Sequence, residues 1–132
     1  MKPINNKTQF YYFFSSLLII AFLSFAFINN VDKEAKDITV TGEVLDLSCF
    51  IKSGAKGPEH KSCATACINK GNPIGLLTKD GKAYLIVEDH DNAKPYADLK
   101  DMAAETVTIS GMLQERNGLP GIVLAKVEAG KK

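Results

Sequence analysis

Ile38-Thr39-Val40-Thr41-Gly42-Glu43-Val44-Leu45-Asp46-Leu47 alternates apolar and polar residues across a central glycine. Period-two alternation puts Ile38, Val40, Gly42 and Val44 on one face, the pattern of a half-buried β-strand. A glycine at mid-strand marks a sharp bend or a bulge. The same device recurs in Thr106-Val107-Thr108-Ile109-Ser110-Gly111-Met112-Leu113. Between these two stretches, Ile74–Thr78 and Lys82–Val87 flank Lys79-Asp80-Gly81, and Asp-Gly between apolar runs is a strong hairpin signal. Asn117-Gly118 supplies a second turn, leading into Ile122–Val127. After the polar loop Glu88–Lys94, Pro95–Ala103 reads as one or two helical turns that tuck Tyr96, Leu99 and Met102 inward. Met112 also reads as a core residue. Strands are therefore expected near 38–47, 74–78, 82–88, 105–115 and 121–128. Five strands with a helix between the third and fourth make a mainly β chain, an OB-like barrel. A partly open sheet or sandwich is the competing layout.

The departure from a plain barrel is an insertion, residues 48–73, between the first and second strands. Lys52–Pro58 reads as a loop. Glu59–Lys70 reads as a short helix, with Pro58 at its start and Gly71 as its stop. All three cysteines of the chain, Cys49, Cys63 and Cys67, lie in this insertion together with His60. On a helix, His60, Cys63 and Cys67 are spaced by three and four and line one face, and Cys49 closes over that face from the end of the first strand. Three thiolates and an imidazole suit Zn²⁺, Cu⁺ or an iron–sulfur centre, because thiolates hold soft ions and a neutral imidazole completes a tetrahedron while limiting its charge.

A structural reading competes with the metal. Outside the cytoplasm cysteines oxidise, and Cys49 bridged to Cys63 or Cys67 would staple the insertion to the barrel. Cys63 to Cys67 is the poorest pairing, since residues four apart on a helix hold their Cβ atoms ~5–6 Å apart. Any pairing leaves one thiol over, and this parity favours metal. Neither C-x-x-C nor C-x-x-C-H occurs, which argues against a thioredoxin-like motif and covalent haem. His90, in Glu88-Asp89-His90-Asp91, reads as part of a solvated turn, with distant ligation as the alternative. The carboxylates show no spacing that identifies an acid–base pair. Gly71, Pro73 and Gly75 read as backbone requirements: a helix stop, a return into the barrel, and a close approach to the cysteines. They form no phosphate loop.

At the other end of the chain, Lys2 and Lys7 precede the apolar run Phe10–Ile28, interrupted only by Ser15, Ser16 and Ser24. A run of this length just spans a hydrocarbon core as a helix. Residues 1–28 read as a signal peptide cut near Ala26 or as a retained signal anchor, and residues 29–37 as a polar tether. Both readings export the domain 38–128, with 129–132 as a tail, to the periplasmic or extracytoplasmic side. It is soluble there after cleavage, or held to the membrane through residues 10–28 when the segment stays. The expected partner is a membrane or exported protein. With a formal net charge of +1 and no basic stripe, the chain lacks the footprint of a nucleic-acid binder.

The segments Gly42-Glu43-Val44-Leu45-Asp46-Leu47-Ser48-Cys49, His60-Lys61-Ser62-Cys63-Ala64, Cys67 and Gly71-Asn72-Pro73-Ile74-Gly75 resemble a family of small exported bacterial OB-like proteins. Its pattern is Cys…His-x2-Cys-Ala-x2-Cys…Gly-x-Pro-x-Gly. The resemblance covers residues 38 to about 128 and implies export and a cysteine–histidine site; no settled activity comes with it. Four protein ligands fill a tetrahedral zinc site and leave no position for substrate, so the leading expectation is a non-catalytic metal- or cofactor-binding domain, structural or electron-transferring. A disulfide-stapled interaction module is the second, and a thiol redox protein the third.

Overall fold

The alternation at Ile38–Val44 becomes the longest wall of a closed barrel. In the computed structural model, which describes residues 33–130, strand β1 runs Lys33–Asp46 and is followed by helix α1, Leu47–Ser53. A 3-10 turn, Pro58–His60, leads into helix α2, Lys61–Asn69. Then come β2 (Ile74–Thr78), β3 (Ala83–Val87), helix α3 (Lys94–Lys100), β4 (Thr106–Arg116) and β5 (Leu119–Ala129). The strands close in the order β1-β2-β3-β5-β4, antiparallel except for β3 beside β5. This is the expected five-stranded OB-like barrel, with its helix between β3 and β4 and a helical insertion between β1 and β2. The apolar run Phe10–Ile28, and with it the expectation of a signal or anchor helix, lies outside the described residues. Among the described residues no helix is long and apolar enough to cross a membrane.

Closure depends on β1 serving two neighbours. Residues from Lys33 to Glu43 pair with β4, and Gly42 to Asp46 pair with β2. Gly42 therefore sits where both ladders meet, and a Cβ there would lie 2.5 Å from the carbonyl oxygen of Leu77. Only glycine permits that approach. β1 starts at Lys33 rather than Ile38, because its first residues pair through their backbones with the far end of β4, a contact that leaves no apolar alternation to read.

The inward face follows the alternation. Val44, Val107 and Ile109 are buried with Ile74, Leu76, Ile86, Ile122 and Leu124, and Leu99 and Ala103 close the core beside α3. Tyr96 and Met102 pack against this core as expected. Met112 does not: it is 36% exposed, because it shares the outward parity of Thr108 and Ser110. On that outer face Thr39 and Ser110 hydroxyls meet at 2.9 Å and Thr41 and Thr108 at 2.8 Å, a polar ladder across β1 and β4.

Candidate metal centre

The insertion differs from its sequence reading in one consequential way. Cys49 does not hang from the end of a strand; it sits in α1, a helix that begins directly at Leu47. Asp46 starts it as the N-cap, its Oδ1 accepting a hydrogen bond from the Ser48 backbone N–H at 3.0 Å. No residue of the helix is fully buried, and Leu47, Cys49 and Phe50 are half-buried, so its seat is set at its first turn. Leu47 N–H donates to the Pro73 carbonyl at 3.0 Å, and the Leu47 side chain lies over Gly75. A Cβ on Gly75 would stand 2.4 Å from Leu47 Cδ2. The close approach expected of Gly75 is thus to Leu47, which in turn holds the helix bearing Cys49.

Helix α2 has a firmer anchor. Ala64 and Ile68, four apart, are buried in the barrel core. Cys63 and Cys67 each stand one residue earlier and form the adjoining stripe at the rim of that core. Cys67 is half-buried and Cys63 exposed. The expected single helix from 59 to 70 is shorter: His60 ends the 3-10 turn and caps α2 without a side-chain capping bond. Pro58 has no N–H to continue an α-helix backwards, and its ring favours a first-turn position. Glu43 on β1 accepts a hydrogen bond from Gly57 N–H and so pins the chain just before His60.

All four residues singled out from the sequence lie close together. The three sulfurs, Cys49, Cys63 and Cys67, stand within 4.8 Å of one another, and all three are free thiols. His60 joins through a second triad, in which a ring nitrogen of His60, Cys49 Sγ and a carboxylate oxygen of Asp46 are also mutually within 4.8 Å. Cys49 belongs to both. His90 is exposed and belongs to neither.

Asp46 is the functional candidate that spacing rules missed. It is 1% exposed, the one buried charged residue among those described, yet it lies close to the surface beneath the cluster. Besides Ser48, its Oδ1 accepts from Asn72 Nδ2 at 3.1 Å. Asn72 N–H bonds the Cys67 carbonyl at 3.1 Å, so one side chain ties Asp46 to the end of α2. Asp46 Oδ2 and His60 Nε2 are buried and have no hydrogen-bond partner. Burial pushes the Asp46 carboxyl up, but the neighbouring Cys49 and the hydrogen bonds from Asn72 and the Ser48 backbone outweigh it and leave the group below its usual value. The Cys49 thiol contributes to that stabilisation without a well-formed hydrogen bond to Oδ2.

The thiols bear the cost of this neighbourhood. The Asp46 carboxylate close beside it, then burial, then the charges of Asp46, Cys67 and Cys63 push Cys49 up to about 12. Burial, followed by the bond to Cys63 and its charge, pushes Cys67 up as well. Such thiols are poor nucleophiles, and a cation is what turns their mutual repulsion into attraction. No family, curated protein or solved structure matches this chain.

Proposed function

We propose that the domain is an exported, non-catalytic metal-holding module in which Cys49, Cys63 and Cys67, with His60 beside them, bind a thiophilic ion, zinc first among the candidates. The observation that carries this reading is the convergence of three free thiols from two separate helices within 4.8 Å. Tetrahedral zinc–thiolate bonds of about 2.3 Å place sulfurs roughly 3.8 Å apart, a spacing small side-chain rotations reach from here. The raised thiols of Cys49 and Cys67 speak against those two residues as redox nucleophiles, which need a thiolate at neutral pH.

The export half of the reading rests on Lys2 and Lys7 ahead of Phe10–Ile28. A membrane or exported protein is then the partner class, and copper or an iron–sulfur centre the alternative cargo. On this reading the Cys…His-x2-Cys-Ala-x2-Cys…Gly-x-Pro-x-Gly segment is a metal-site signature for the exported proteins it resembles.

The test is metal analysis with thiol counting on the full chain, purified anaerobically. Bound metal with no disulfide is the expected result, and the visible spectrum identifies it: strong bands mean iron–sulfur or Cu²⁺–thiolate, a colourless metalloprotein Zn²⁺ or Cu⁺. Absence of metal, with Cys49 bridged to Cys63 or Cys67, would overturn it in favour of a disulfide-stapled module. A reporter active only in the cytoplasm, fused after Lys132, must stay silent if the domain is exported.

A further inference from the structure

The cluster is larger than one tetrahedral ion requires, and its surplus is organised. Five ligand-bearing side chains fall into two triads, Cys49–Cys63–Cys67 and Asp46–Cys49–His60, that share only Cys49. We propose that the site holds two divalent cations bridged by the Cys49 thiolate, the second one bound by Asp46 and His60. This rests on the metal reading above and deepens it.

Three observations carry the second position. The buried side-chain atoms without partners, Asp46 Oδ2 and His60 Nε2, both belong to residues of the second triad. An ion held by the thiols alone leaves them unsatisfied, whereas buried polar atoms are almost always paired. Asp46 is also held for ligation: Ser48 N–H and Asn72 Nδ2 both bond Oδ1, which fixes the carboxylate and leaves Oδ2 free for a cation. Hydrogen bonding that fixes one oxygen of a ligating carboxylate is the usual outer support of a metal site. Charge gives the same count. Three thiolates and one carboxylate carry four negative charges, and the imidazole is neutral. Two divalent ions neutralise them, whereas one leaves two negative charges for the hydrogen bonds on Asp46 and the solvent around Cys63 to stabilise.

The two positions differ in chemistry. The first, all sulfur, suits the softer ion; the second, with one oxygen, one nitrogen and one sulfur, suits a borderline ion of the zinc class. With three protein ligands, the second ion keeps a coordination position for water or an exchangeable ligand.

Cobalt(II) titration of the anaerobic, reduced full chain tests this, because thiolate-to-cobalt absorption and magnetic coupling through a bridging sulfur are both visible. The wild-type chain should saturate at two cobalt ions, the second one quenching the paramagnetic signal of the first. Asp46→Asn and His60→Ala should each saturate at one, with the thiolate absorption retained. Asp46 also caps α1, so His60→Ala, whose side chain makes no capping bond, decides the outcome if Asp46→Asn unfolds. Saturation of the wild type at one ion overturns the two-ion site and leaves the metal reading standing, and two ions in a folded His60→Ala overturn it equally. No thiolate absorption, with three thiols still titratable, overturns both.

Discussion

Cys49 meets a neighbouring carboxylate, partial burial and the charges of Asp46, Cys67 and Cys63 at once, and all of them favour the neutral thiol. In the unfolded chain the same thiol titrates near 9, in the folded one near 12. Between those values the unfolded state has released a proton that the folded state keeps, so stability falls as pH rises. The metal-free protein should therefore be most stable below pH 9 and lose stability as pH climbs from 9 towards 12. Thermal melts across that interval check it, and Cys49→Ser, with no thiol at that position, should lessen the alkaline fall and leave the part due to Cys67. Metal affinity should run the opposite way below pH 9, rising with pH because each ligating thiol must give up its proton. Asp46 governs the acid side: its lowered carboxyl contributes stability above its ordinary value, which is lost as pH falls through the folded one. The sequence did carry a signal for Asp46. It shares the parity of Ile38, Val40, Gly42 and Val44, so the alternation that defined the strand already pointed a carboxylate inward.

The helices show why part of the insertion was legible and part was not. α2 is bracketed by Pro58 and by Gly71, whose N–H bonds the Ile68 carbonyl at 2.9 Å, and it drops Ala64 and Ile68 into the core at a spacing of four. Such punctuation and periodicity can be read directly. α1 has seven residues and no buried face, so its hydrophobic pattern is silent. Only the Asp46-Leu47-Ser48 cap announces it. A helix held by so little should respond sharply at its seat. Gly75→Ala drives a methyl into Leu47, and overpacking of this kind costs about 1–3 kcal/mol. Urea unfolding should show that loss together with weaker metal binding, since displacing Leu47 moves Cys49. Adding Leu47→Ala opens the space again and should recover part of the stability. Equal damage in the double variant would mean that Leu47 is not what Gly75 accommodates.

At the scale of the whole barrel, stability and metal binding are largely separate. The strands and α3 supply most of the buried core, and the insertion adds only Ala64 and Ile68. Ile109→Ala, at a fully buried position, should cost about 2–5 kcal/mol. Thr108→Ala, on the outer face, loses little more than the hydrogen bond to Thr41, about 0.5–1.5 kcal/mol. Denaturant midpoints rank the two. The same division bears on metal removal. Small zinc domains that fold around their ion unfold when it is chelated. Here the barrel is closed by backbone ladders on every strand, so it does not need the ion to hold its shape. Chelation should remove only the linkage contribution, about 2.7 kcal/mol when free metal stands at a hundred times its dissociation constant. Hydrogen exchange would show where that energy acts. Amides of α1, which has no fully buried residue, and of the Pro58–His60 turn should lose protection first, followed by α2, while β1 and β4 keep theirs. If protection in β4 collapsed together with that in α1, the cluster would be a folding element of the entire domain, and the division between barrel and site drawn from the buried core would fail.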